Sequence, residues 1–196
     1  MIITVMDTET TGLDRKKHEI IEIALISYVV SEDGDRYVVK KFNSKVKPRH
    51  IETASARALE INHYNKEDWK DALDISEILP EIQEMIIRSD VMIGQNLIFD
   101  LRRLHDAYVW NHFDAPEYPP YVDTKAMADS LKEKNRLKKS GMDYLCEHYK
   151  VEFEGKAHSA LADCERTMLV WDKLLEEGED YELYCYEKPY EPHFRR

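Results

Sequence analysis

Three β-branched runs fall within the first 42 residues, and the gaps between them are too short to hold a crossover helix. Ile2, Ile3, Val5 and Met6 lead into DTETTG, residues 20–30 form a continuous apolar run, and residues 37–42 follow the hairpin signal Asp33-Gly34. Parallel neighbours need a connection of about a dozen residues or more, so these strands should pair as an antiparallel meander with the first strand central. Downstream the period changes. Helical spacing covers 51–61 and 75–88, with Pro48 and Pro80 near the boundaries. A short strand is expected at 91–93, a helix at 97–111, another short strand at 121–122, and helices at 123–134, 140–149 and 159–176. This order predicts an α/β fold: a mixed sheet of the meander plus two further strands, with helices packed on both faces. Residues 1–175 read as one domain, and 176–196 as an acidic, tyrosine-rich tail containing YELYCYEKPYEPHF.

Apolar residues make up 43% of the 196 and charged residues 34%, enough for a core and a solvated surface, which excludes a low-complexity or disordered chain. No run approaches the roughly 20 apolar residues of a membrane span, and MIITVMDTETTG lacks the basic start and apolar stretch of a secretory signal. A cytoplasmic protein without membrane contact is therefore expected. Cys146, Cys164 and Cys185 are scattered and odd in number, so they read as reduced thiols, not a metal knuckle or disulfide framework. The net charge of −11 argues against a coat-like nucleic-acid binder, whose affinity rests on phosphate neutralisation. An enzyme that handles only a strand end and recruits cations remains compatible with it. The run KEKNRLKK at 132–139 either steers a single strand or is a solvated helix end.

Asp7 and Glu9 lie two apart at the end of the first strand, so both carboxylates face one side of the sheet. They are either a solvated strand end or, in a central strand, two like charges that need a cation between them. Asp100 falls on the apolar stripe Leu97, Leu101, Leu104 and Tyr108, where a carboxylate is costly unless paired or metal-linked. Asn96 is its expected N-cap; local pairing with Arg102 or Arg103 is the structural alternative. In HSALADCERT, Ser159 is the expected N-cap, with His158 just outside the helix and Asp163 in its first turns. Together, Asp7, Glu9, Asp100, Asp163 and His158 are the ingredients of a two-cation phosphodiester hydrolase. Carboxylates suit Mg²⁺ or Mn²⁺ over zinc, and an imidazole can accept a proton from water near neutral pH.

DTETTGLD at 7–14, IGQNLIFDLRRL at 93–104 and HSALAD at 158–163 resemble, in order and spacing, the three motifs of the DEDDh exonuclease family. That family includes the proofreading subunit of bacterial replicative DNA polymerase. VDT at 122–124 also sits where the family commonly has it, and the resemblance covers about residues 1–175. It implies an RNase H-like fold and hydrolysis from the 3′ end that releases nucleoside monophosphates. It implies that Asp7, Glu9 and Asp163 hold one Mg²⁺ or Mn²⁺, that Asp7 reaches a second, and that Asp100 acts on that second ion through water. His158 would be the general base. Thr8, Thr10 and Leu13 would contact the terminal nucleotide, with Leu13 wedging against its base, and Asn96 and Phe99 would border the same pocket. One departure is Gly94-Gln95-Asn96, where the family often has His in place of Gln95. The implied partners are nucleic-acid 3′ ends, DNA before RNA, and a polymerase; RNA trimming and a non-catalytic binding module are the alternatives. Oligomeric state is not implied.

Overall fold

The computed structural model describes residues 1–153 and 155–186. Strands β1 (Ile2–Thr10), β2 (Ile20–Val30) and β3 (Arg36–Lys45) form the expected meander. After it come helices α1 (Ala56–Ile61) and α2 (Ile75–Ile87), strand β4 (Val91–Gly94), helix α3 (Leu97–Trp110) and strand β5 (Tyr121–Asp123). Helices α4 (Thr124–Glu133), α5 (Met142–Tyr149) and α6 (Ala160–Glu176) and strand β6 (Cys185–Tyr186) complete the order. The sheet runs β3-β2-β1-β4-β5-β6. β1 is central: it pairs antiparallel with β2 along its length and parallel with β4 only from Ile3 to Val5.

The two faces of the sheet carry separate cores. Met6, Leu25 and Met92 pack under α2 and α3; Ile3, Val5, Ala24, Ile26 and Ile93 pack under α4, α5 and α6. No helix among the described residues is long and apolar enough to cross a membrane.

Three local expectations are corrected. Residues 51–61 are not one helix: a 3₁₀ turn at Ile51–Thr53 gives way to extended Ala54, and Ser55 caps α1 through its side chain to Ala58 N. The Ser55 N–H donates to Thr11 O at 2.8 Å, so a tertiary bond imposes the break. Pro80 is inside α2 rather than at its end. The helix loses one backbone bond there but carries a complete Asp74/Glu77 capping box and buries Ile78, Leu79, Ile82, Met85 and Ile86. A sixth strand also exists: Cys185 and Tyr186 pair antiparallel with β5, and Tyr186 stacks on Tyr121 at 5.0 Å. The first part of the expected tail thus continues the sheet, and its last ten residues, 187–196, lie outside the described residues. In the basic run, Lys134 pairs with Glu179 at 2.6 Å and Arg136 with Glu177, which ties it to the segment after α6.

Candidate active site

β1 outruns β4 at its carboxyl end, and the sheet opens there. Asp7 and Glu9 continue the face of Ile3 and Val5, beneath α6. Thr8 points to the opposite face, where its N–H and Oγ1 both donate to Asp100 Oδ1, at 3.0 and 2.5 Å. Asp100 is buried at 4% exposure, and its hydrogen bonds come from Thr8 instead of from Arg102 or Arg103. A close turn brings α3 in. The Cβ that Gly94 lacks would stand 2.7 Å from Leu97 Cδ1 and 3.1 Å from Met6 O, so a side chain there would push β4 from β1. Asn96 is the cap residue as expected, but in the left-handed conformation and without a side-chain cap bond; its N–H donates to Asp123 Oδ1 at 2.8 Å.

Asp163 descends from the first turn of α6, whose Ser159 cap likewise makes no side-chain bond. His158 precedes it with φ of +62°, a left-handed backbone that costs a non-glycine residue about 1–2 kcal/mol. Glu9, His158 and Asp163 each offer a ligand atom, and these atoms all lie within 4.8 Å of one another. Asp7 feels the charges of Asp100, Glu9 and Asp163, so the five sequence-derived polar residues converge from β1, α3 and α6.

The electrostatics follow from that crowding. Burial, then the Asp100, Glu9 and Asp163 charges, hold the Asp7 carboxyl well above the usual carboxylate range. Glu9 is pushed up to about 8 by burial and by Asp163 and Glu22. Asp100 rises to about 7 because burial outweighs the two Thr8 hydrogen bonds. Burial raises Asp163 as well, against the Arg166 guanidinium 2.6 Å from its Oδ1. A cluster of oxygen donors that repel one another in a partly dry cleft fits a hard divalent cation, which would neutralise what burial and repulsion penalise.

Three supporting groups carry no motif. Glu22, at 6% exposure, lies opposite Glu9 on β2 and accepts a backbone hydrogen bond from Ala160, joining β2 to the start of α6. Its sequence signal is a lone carboxylate in the apolar run IIEIALISYVV. Arg166, buried one turn after Asp163, pairs with both Asp163 and Asp143. Asp143 also lies 3.9 Å from His158 Nε2.

Beside the carboxylates lies a cavity of about 310 Å³, lined by Thr8, Glu9, Thr10, Leu13, Phe99 and the α1 face carrying Ala58 and Ile61, among others. Leu13 is 82% exposed at its rim and Ile61 38% exposed. Asn96 is exposed and is not among the residues lining this cavity.

Comparison with known proteins gives a consistent picture. A family model described as "Exonuclease" (RNase_T) matches residues 4–171. A DNA polymerase III PolC-type of Staphylococcus haemolyticus is 27% identical over 173 residues, which is 88% of this chain; the chain spans 11% of that relative's length. Two solved structures share the fold. The nuclease domain of 3′hExo, a DEDDh family member bound to rAMP, has a TM-score of 0.73 at 16% identity, covering 95% of this chain and 96% of that one. E. coli Exonuclease I in complex with a dT13 oligonucleotide has a TM-score of 0.75 at 14% identity, covering 93% of this chain and 42% of that one.

Proposed function

Because the chain belongs to the exonuclease family whose model spans residues 4–171, we propose that it is a divalent-cation-dependent 3′→5′ exonuclease acting on DNA, preferably single-stranded. The observation that carries this reading is the convergence of Asp7, Glu9, Asp100 and Asp163 with His158 beside a nucleotide-sized cavity. The DNA preference leans on the relatives, a PolC-type polymerase and an exonuclease bound to oligo-dT; the polarity leans on the resemblance of the three motifs to the DEDDh family.

In this reading Asp7, Glu9, Asp100 and Asp163 are the residues that would hold the divalent cations, Mg²⁺ or Mn²⁺. When bound, these ions would acidify the attacking water and neutralise charge on the leaving oxygen. The protein's own work is positional. Leu13 and Phe99 hold the terminal base, and Thr8 keeps Asp100 turned toward β1. His158 accepts the proton of the water whose oxygen forms the new bond to phosphorus. The bond from phosphorus to the 3′-oxygen of the preceding nucleotide breaks, and that oxygen takes a proton from solvent water to become the new 3′-hydroxyl. The terminal residue departs as a nucleoside 5′-monophosphate. We further propose that residues 1–175 are the catalytic domain, with or without attachment to a polymerase, and that it works in the cytoplasm.

Digestion of 5′-labelled DNA and RNA oligomers of matched sequence, with and without Mg²⁺, tests this. A cation-dependent ladder shortening from the 3′ end on DNA is expected. Faster trimming of the RNA oligomer would reassign the substrate, and an intact label with cation present would sink the enzyme reading.

A further inference from the structure

Arg103 is a charged residue in the wrong place. It sits on α3 at 3% exposure, and among the described residues no carboxylate bonds to it. Its Nη2 donates to Gly12 O at 3.0 Å, its Nη1 reaches His18 O at 3.4 Å, and its Nε is buried without a hydrogen-bond partner. Asp106, Asp14 and Asp100 act on it only through space, so its direct bonds are to carbonyls; burying a cation this way is expensive, and an apolar side chain would fill the space more cheaply. What the guanidinium touches suggests its use. It lies over the Phe99 ring at 4.9 Å and holds the carbonyl immediately before Leu13. Phe99 and Leu13 both line the same cavity.

The loop it grips is otherwise set for stiffness. Thr10 Oγ1 donates to the same Gly12 carbonyl at 3.0 Å. Gly12 has φ of +147°, and a Cβ there would stand 2.5 Å from the His18 ring. One turn along α3, Asp106 pairs with Arg15 at 2.5 Å. Leu13 thus projects, 82% exposed, from a loop fastened on both sides. A greasy side chain held rigidly in water is organised to meet an apolar surface.

We propose that Arg103 is a positioning residue for the terminal nucleotide, fixing the Leu13 loop and the Phe99 ring in one register so that a base can stack between them. This rests on the exonuclease reading above. The role is binding and not chemistry, so loss of the clamp should raise KM more than it lowers kcat.

Arg103→Met keeps an unbranched, shorter stem and removes the charge and the donors; Arg103→Lys keeps a donor for Gly12 O but cannot spread over Phe99. Each is made in the wild-type and Leu13→Ala backgrounds. Melting temperature, KM and kcat on a dT oligomer, and the affinities for dTMP and for Mn²⁺, are then measured. Arg103→Met should raise KM and the dTMP Kd roughly tenfold, an ordering cost of about 1.4 kcal/mol. Arg103→Lys should raise them less, and Mn²⁺ affinity should stay at the wild-type level. On the Leu13→Ala background the increment should vanish, because the clamp then has no wedge to hold. Unchanged KM and dTMP Kd, whatever the melting temperature, or an effect that adds fully to Leu13→Ala, would overturn the assignment. If Arg103→Met does not fold, the Arg103→Lys cycle decides by the same criteria. A wild type that cleaves and binds dTMP while the variants do likewise defeats only this proposal. A wild type that does neither defeats the exonuclease reading and this with it.

Discussion

At the residue scale, the site is an arrangement of like charges held apart by what each one leans on. Asp100 has Thr8, Asp163 has Arg166 and Glu22 has the Ala160 amide, whereas Asp7 is surrounded mainly by other carboxylates. Asp7→Asn should therefore abolish cleavage, by at least about 10³-fold, while leaving the metal-free protein as stable as wild type or more so. Activity within tenfold of wild type, or an early melt, would contradict that. His158 is different: among the described residues of the ligand-distance cluster it brings an imidazole where Glu9 and Asp163 bring carboxylates. His158→Ala should lower kcat by about 10²–10⁴ with Mn²⁺ binding retained. Because His158 stands within the ligand-distance cluster, Mn²⁺ titration of this variant separates the two roles: lost binding would make it a ligand.

At the scale of elements, two turns set the geometry. The Gly12 turn carries Leu13 and packs on His18, so Gly12→Ala demands both a backbone that alanine avoids and a displaced imidazole. A cost of about 1–3 kcal/mol, read by denaturant unfolding, should come with weaker substrate binding. The start of α2 is a pure stability element by contrast. Asp74 accepts from Ser76 N, its partner Glu77 closes the capping box, and Arg49 holds its carboxyl well below the usual range. Asp74→Ala should cost about 1–2 kcal/mol and leave kcat and KM at wild-type values. A changed KM would mean that α2 communicates with the cleft. The break between residues 53 and 56 belongs here too: periodicity alone runs straight through it, and the Ser55 bond to Thr11, with the Thr53 bonds to Lys17 and His18, divides the segment.

For the whole molecule, the cluster makes stability depend on pH in a definite direction. Glu9 titrates near 8 and Asp100 near 7 in the fold, against about 4 in an unfolded chain. The folded state therefore binds more protons than the unfolded state between these limits. Stability from these groups is full below about pH 4 and is lost as pH rises through 7 and 8. The metal-free melting temperature should fall across about pH 5 to 8, and saturating Mn²⁺ should raise it and flatten the slope, since ions bound only to the folded state stabilise it. Asp7→Ala with Asp163→Ala should show a shallower slope and little response to Mn²⁺. A metal-free protein that gains stability over that range would mean the carboxylates are not crowded in solution.

Local pattern alone was enough for the meander, for the order of elements from α2 to α6, and for the two carboxylates of β1, because a period of two places Asp7 and Glu9 on one face in any fold that contains the strand. The spacing of His158 and Asp163 across a helix start was equally local. What reaches across the chain was not legible. Asp100 stands out in the sequence as a carboxylate on an apolar stripe, but the contact that holds it does not: it arrives from the far side of the sheet and is turned inward by Thr8, 92 positions away. Arg103 meets Gly12 over 91 positions, and Glu22 becomes part of the cluster only because β2 pairs with β1 in the register that sets it against Glu9. Cys185 and Tyr186 form a strand only because β5 offers them a free edge. Such contacts are chosen by which surfaces can be buried together once the layers close, and no single segment carries that choice in its own periodicity.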